Sequence, residues 1–215
     1  MRARAVAEPV PYPLLKGATD RVVSALLLLL VLPLAAVALA VMGLDMLLVP
    51  RDRGPFFYRE PRISRGHEFG LLKLRTLRVD VLAAGAAGHV RLFEGDPANL
   101  TRAGSLLKRW YLDELPQLLN ILRGDLSLVG PRPWPPAMVA EQVAAGFDYR
   151  NRIEAGWTGP AQITKGSPDP VGYAELDLAY VEACRTLSPA RLARYDLGIL
   201  ARTVLVILRG EGLRY

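Results

Sequence analysis

Residues 22–49 are almost wholly apolar, and residues 25–44 carry no charged side chain. At 1.5 Å per residue a helix over 25–44 reaches about 30 Å, the thickness of a bilayer's hydrocarbon core. A cleaved signal peptide is the competing reading. The run is too long for a typical h-region, and no small-x-small cleavage site with a sensible mature start follows it. The pattern therefore predicts a membrane segment over 16–50, after a Pro-rich flexible lead-in over 1–15 and before one domain over 51–215. Pro33 falls near the middle of the apolar run, where it removes a hydrogen bond and kinks or breaks the helix. Lys16 and Arg21 flank the start and Arg51 and Arg53 the end, so charge gives no orientation bias. Both ends on the cytoplasmic side would satisfy the positive-inside rule. A helix-break-helix that enters and leaves one leaflet meets these constraints, and so does a kinked spanning helix.

Shorter patterns follow. Residues 52–62 read as a turn and a short aromatic strand. Residues 69–77 alternate apolar positions with Lys73 and Arg75, which puts both cations on one strand face. A solvated face is the plain explanation, and phosphate binding the functional one. Residues 78–95, rich in Ala and Gly without period, read as a mobile loop. In Leu112-Asp113-Glu114-Leu115-Pro116-Gln117-Leu118-Leu119-Asn120, Asp113 suits an N-cap and Pro116 the first turn. Leu115, Leu118, Leu119 and Leu122 then form one buried face, and Gly124 suits the residue just past the helix. The two acids would lie at the positive end of a helix dipole, beside backbone N–H groups able to hold an anion. Neighbouring helical residues point about 100° apart, so a division of labour suits them better than a shared proton.

Pro131 and Pro133 restrict the backbone around Arg132 in Gly130-Pro131-Arg132-Pro133, presetting a guanidinium for bidentate phosphate or carboxylate binding. An exposed arginine on a structural turn is the alternative. Residues 135–152 read as helical, 156–166 as loop-strand-loop with Lys165 at its tip, and 173–184 as a helix bearing Glu175 and Asp177. Ser188-Pro189 opens a last helix. On it Arg191, Arg194, Arg202 and Arg209 fall within about 80° of one another. Leu192, Leu197, Leu200, Val204 and Ile207 cover its other side. Such a helix suits an anionic bilayer, or packs on the core with a solvated stripe.

Composition narrows the chemistry. With 215 residues there is room for a single core, and 27 Lys and Arg against 21 acids give a formal charge of +6. That excess suits an anionic partner: nucleic acid, membrane surface or phosphorylated substrate. The cations are dispersed and lack interleaved aromatics, which argues against nucleic acid. One cysteine allows no internal disulfide, and two histidines make zinc a poor candidate. Any cation should be a hard one held by oxygen.

Taken in order, these segments resemble the bacterial sugar transferases, the monotopic phosphoglycosyl transferases. They are the apolar segment, Gly54-Pro55 with an aromatic strand, Lys73-x-Arg75-Thr76, Leu112-Asp113-Glu114-Leu115-Pro116-Gln117 and Gly124 through Pro133. The likeness runs from about Lys16 to Gly210 and fits the minimal, single-domain form. It implies an α/β domain of short helices around a small sheet lying on the cytoplasmic face of the bacterial inner membrane, held by a re-entrant helix broken at Pro33. It implies transfer of a sugar-1-phosphate from a nucleoside diphosphate sugar, usually UDP-linked, to undecaprenyl phosphate, as the first membrane step of surface-glycan assembly. Asp113 would be the nucleophile, forming a phosphosugar adduct with release of UMP. Glu114 would bind Mg²⁺, and Lys73, Arg75 and Arg132 would contact phosphate. Asp177 matches a family acid near the site, and Gln162 falls in a segment expected to recognise nucleotide or sugar.

Several positions depart from the family pattern: Leu32 before the proline, Glu154-Ala155-Gly156, Gln162-Ile163-Thr164-Lys165-Gly166, and Ala179. Most lie in the C-terminal third and bear on uridine and sugar choice rather than on reaction type. A non-catalytic membrane scaffold of the same family and an Mg²⁺-dependent pyrophosphate hydrolase are the alternatives. The sequence does not fix the oligomeric state and is compatible with a homo-oligomer.

Overall fold

The computed structural model describes residues 8–85, 93, 95–164 and 172–208. The start of the lead-in, most of the second half of the 78–95 loop, Lys165 and Arg209 lie outside the described residues. The architecture of the described residues is mixed: mostly helix, with two separate two-stranded sheets. By internal contacts the chain forms two compact units. The larger is drawn from Met1–Ala25, Pro61–Gly70 and Leu119–Tyr215, the smaller from Leu26–Glu60 and Leu71–Leu118. The division falls inside the first helix rather than after it.

Helix α1 (Leu14–Leu48) is the expected apolar segment, long and apolar enough to cross a membrane. Leu26, Leu29, Leu30 and Leu32 are all exposed, unlike the leucines of a soluble core helix. Pro33 lies inside α1, and the anticipated break does not interrupt the helical backbone. The lead-in is packed where it is described. Val10 is fully buried and donates its N–H to the Arg152 carbonyl, so residues 8–13 are not a flexible tether.

Strands β1 (Phe57–Ser64) and β2 (His67–Leu74) form a hairpin. Its two-residue turn has Arg65 at φ 48° and Gly66 at φ 77°, the positive values that a type I′ turn needs. Past β2, residues expected as loop form α2 (Val79–Gly85). Here a short apolar patch decides: Val81 is buried, with Leu82 packed beside it, in a cluster with Leu77, Tyr58 and Leu100.

The smaller unit is centred on Ala38 and Met42 of α1, Leu74, and Ala103 and Leu107 of α3 (Arg102–Arg109). Polar caps fix the start of α3. Asp52 Oδ2 accepts from the Arg102 N–H at 3.0 Å, Asp45 Oδ2 from the Ala103 N–H at 3.0 Å, and Thr101 Oγ1 from the Gly104 N–H at 2.8 Å. Each takes an N–H that the helix itself cannot satisfy, a contribution of about 1 kcal/mol apiece. A Cβ at Gly104 would lie within 3 Å of Thr76 backbone atoms, so only glycine lets the helix start against the end of β2.

In the larger unit, β3 (Ser127–Val129) pairs in parallel with β4 (Gly156–Thr158), Ser127 opposite Gly156 and Val129 opposite Thr158. Three-residue strands carry no readable alternation, and this sheet was not anticipated. Glycines allow it. A Cβ at Gly130, Gly156 or Gly159 would meet backbone of the facing segment at under 3 Å. Between these strands α5 (Pro136–Ala144) covers only the first half of the expected 135–152 helix. Gly146, at φ 91°, and a 3₁₀ turn over Tyr149–Asn151 follow it. Of the expected loop-strand-loop over 156–166, the strand falls at the start, as β4, and residues Pro160–Ile163 form a single helical turn, α6.

Helices α7 (Tyr173–Thr186) and α8 (Pro189–Leu208) begin and run as the sequence predicts. Helix α8 packs on β3, β4 and α6, and α6 packs on α7. The buried side of α8 differs from the predicted leucine face. Leu192, Asp196 and Ile199 are buried, whereas Leu197 and Val204 are exposed.

Candidate active site

Asp113 and Glu114 do not cap an α-helix. They occupy a 3₁₀ turn, Leu112–Glu114, closed by the Glu114 N–H on the Tyr111 carbonyl at 3.2 Å. Tyr111 enters the turn in the left-handed region at φ 55°. Helix α4 (Gln117–Arg123) starts only after Pro116, so the positive end of its dipole is not at Asp113 as the leucine spacing implied. Its buried face is Leu118 and Ile121 with Gln117 and Asn120, while Leu115, Leu119 and Leu122 are half-buried. Past the helix, Gly124 takes φ 89° as anticipated. Its N–H reaches the Ile121 carbonyl and the Asp125 N–H reaches that of Asn120, a Schellman stop.

Asp113 is 8% exposed and Glu114 half-buried. Side chains on consecutive residues of a tight turn diverge, which suits two separate tasks. No group of three acids, histidines or cysteines is placed to hold a metal among the described residues. Two carboxylates from one turn still fit Mg²⁺, which keeps several waters and takes one or two protein carboxylates together with substrate phosphate.

The smaller unit also holds Lys73 and Arg75, and neither lies on a solvated face. Lys73, 8% exposed, has its Nζ 3.1 Å from Glu60 Oε2 on the facing strand of the hairpin. Arg75 lies one residue past β2 and is 2% exposed. Its Nε donates to the Pro55 carbonyl at 2.8 Å, Nη1 to that of Leu77 at 2.9 Å and Nη2 to that of Asp52 at 2.6 Å. Burial lowers the guanidinium pKa, while the nearby Asp52 and Asp45 carboxylates act to raise it. Each nitrogen donates to a carbonyl of its own unit, so Arg75 organises backbone, and the second N–H of Nη1 and of Nη2 is what is left for the expected phosphate contact.

The larger unit holds Arg132, Gln162 and Asp177. Arg132 is half-buried, and its backbone is fixed from both sides. The Gly130 N–H reaches the Thr158 carbonyl at 2.9 Å, and the Gly156 N–H reaches that of Pro131 at 2.8 Å. The Arg132 carbonyl accepts from Arg150 Nη1 at 2.5 Å. Arg150 Nη2 reaches Asp177 Oδ2 at 2.6 Å, which also accepts from the Tyr149 hydroxyl at 2.8 Å. The Arg150 guanidinium stacks 4.1 Å above the Trp134 ring. Burial raises the Asp177 pKa, against the opposing pull of the Arg150 charge and the hydrogen bonds from Tyr149 and Arg150. Asp177 Oδ1 and both polar atoms of the Gln162 amide are buried without a hydrogen-bond partner among the described residues. Such atoms are costly to leave unmatched and mark places where a polar ligand group fits.

Sequence reasoning missed Arg150, Glu60 and Asp52. Nothing in the residues around Arg150 distinguishes it from a surface arginine, and only the fold brings it to Asp177. Glu60 could have been paired with Lys73 had the hairpin turn at Arg65-Gly66 been recognised first. The departure at Glu154 has a local reason, since its Oε1 accepts from Arg65 Nη1 at the hairpin tip.

The chain combines a long apolar helix, small two-stranded sheets and an acidic 3₁₀ turn. The chain belongs to the bacterial sugar transferase family, whose sequence pattern matches residues 12–210. It is 34% identical over 180 residues to the undecaprenyl-phosphate glucose phosphotransferase of Komagataeibacter xylinus, covering 78% of this chain and 32% of that protein. It is 36% identical over 181 residues to the UDP-glucose:undecaprenyl-phosphate glucose-1-phosphate transferase of Escherichia coli, covering 78% and 36%. The protein of the same name from Caulobacter vibrioides is 36% identical over 201 residues, covering 91% and 70%. The chain thus spans about a third of the length of the first two relatives and 70% of the third.

Proposed function

We propose that this chain moves a sugar-1-phosphate from a UDP-sugar to undecaprenyl phosphate at the cytoplasmic face of the inner membrane. The observation that carries the reading is the acidic turn: a buried Asp113 beside a half-buried Glu114, in a chain of this family. An Asp113 carboxylate oxygen attacks the phosphorus bearing the sugar. The bond from that phosphorus to the bridging oxygen breaks, and UMP leaves with the electron pair. An oxygen of undecaprenyl phosphate then attacks the same phosphorus, the acyl–phosphate bond breaks, and the carboxylate is regenerated. Two displacements at one site let a soluble donor and a lipid acceptor react in turn, so ping-pong kinetics are expected.

Mg²⁺ held by Glu114 would neutralise diphosphate charge. Arg132 contacts the donor phosphates from its fixed backbone. Lys73 is a second phosphate cation, paired with Glu60 until the diphosphate competes for it. Gln162 and Asp177 Oδ1 meet polar groups of the nucleotide or sugar. Helix α1 re-enters the cytoplasmic leaflet by a kink at Pro33 that keeps its helical backbone continuous. The reading is tested by incubating detergent-solubilised protein with Mg²⁺, UDP-sugars and undecaprenyl phosphate. Lipid-dependent UMP release that is lost in Asp113→Asn, with a phosphosugar adduct on Asp113 by mass spectrometry when acceptor is withheld, supports it. Turnover without lipid would instead indicate a hydrolase.

A further inference from the structure

The first turn of α1 reaches β3 through a buried polar knot that the chemistry above leaves unused. Lys16 is buried, and its Nζ donates to Asp196 Oδ2 of α8 at 2.7 Å and to the Val129 carbonyl at 3.2 Å. Asp20, one turn on, stands 3.8 Å from the same ammonium. Its Oδ2 accepts from the Tyr12 hydroxyl and from Ser127 Oγ, each at 2.7 Å. The Tyr180 hydroxyl lies 2.9 Å from both the Val129 carbonyl and Asp196 Oδ1, and its one proton serves either. Ser127 Oγ also stands 3.0 Å from the Val129 carbonyl.

An ammonium and two hydroxyls therefore converge on one fully buried carbonyl. The Ser127 proton is shared with Asp20 and the Tyr180 proton with Asp196, so Lys16 is the committed donor and Tyr180 the alternating one. Together they fix the position of this carbonyl. The next residue, Gly130, opens the segment that carries Arg132. Between the Val129 carbonyl and Arg132 the chain has Pro131, two backbone bonds to the β4 segment and the Arg150 contact on the far side. A segment so restrained passes a displacement along rather than absorbing it.

We propose that Lys16 and Tyr180 are positioning residues for Arg132. By holding the Val129 carbonyl they set the guanidinium for donor phosphate, so the seating of the first turn of α1 is registered at the donor-binding segment. This rests on the phosphate role assigned to Arg132 above.

The test titrates UDP into the detergent-solubilised full chain by calorimetry, with melting temperature recorded alongside. Tyr180→Phe keeps the ring and removes one donor. Lys16→Met combined with Asp196→Leu removes a cation and its carboxylate together, a swap that buried pairs tolerate. Each variant is expected to weaken UDP binding about tenfold through misplacement alone while melting near wild type. Combined, they should lose less than the product of the two, because both act through one carbonyl. Arg132→Gln serves as the reference. If it weakens UDP binding while the knot variants bind as wild type, the knot is purely structural and the proposal falls. If Arg132→Gln binds UDP normally, the phosphate role of Arg132 falls and the proposal falls with it. Should the double substitution fail to fold, Tyr180→Phe alone decides.

Discussion

Arg75 and Arg132 were both expected to contact phosphate, Arg75 from a strand face and Arg132 from a backbone restricted by two prolines, and the protein uses them in opposite ways. Arg75 spends its guanidinium on three carbonyls, so its side chain holds the backbone. At Arg132 the backbone is what is held, by β4-side bonds and by Arg150. A local motif can show that an arginine is constrained. Whether the constraint acts on the side chain or on the main chain depends on which carbonyls and donors the fold brings within 3 Å.

That contrast can be broken by stability and activity measurements made side by side. Arg75→Met should cost about 4 kcal/mol, since it strips donors from three carbonyls of which two are deeply enclosed. Chemical denaturation would show this, and an unchanged midpoint would return Arg75 to the phosphate site. Arg132→Gln should reverse the pattern, lowering kcat/KM about 100-fold, or ~2.7 kcal/mol, with the midpoint held.

Smaller effects sharpen the description of the Arg132 side. Asp177 has a raised folded pKa, so the stability it contributes is complete below its ordinary value of 3.8 and is lost as pH rises through the raised value. Asp177→Asn, uncharged throughout, should therefore gain on wild type as pH increases across that window. Denaturant midpoints at stepped pH would record a falling difference. The smallest signal is Cys184, buried on α7 with its thiol pushed up to about 11 chiefly by burial. At pH 8 it should resist a thiol reagent until its unit opens, and the labelling rate should then track denaturant concentration. Prompt labelling in buffer would contradict the burial.

The elements that sequence made legible are those whose signal is long or sharply punctuated. Helix α1 followed from an apolar run and α8 from Ser188-Pro189. The stop at Gly124 followed from a conformation that glycine favours. Asp113 and Glu114 were legible as a pair but not as a 3₁₀ turn, because Pro116 and the leucines after it mimic the opening of an α-helix. The β3–β4 sheet was invisible, since its register depends on how closely Gly130 and Gly156 let two backbones approach, which is a non-local property. The exposed side of α8 was misread for a related reason. Asp196 faces inward to meet Lys16, and no hydropathy pattern places an aspartate there.

Tyr111 has a further consequence. An aromatic residue held at φ 55° carries a conformational cost of about 1 kcal/mol that glycine would escape. Its persistence there gives the bend before Asp113 a narrow range of shapes, because a bulky residue in that region tolerates few excursions. Flexibility that would ease the turn would also let the carboxylate wander. The protein trades a little folding stability for a fixed backbone at Asp113, the residue we propose as nucleophile.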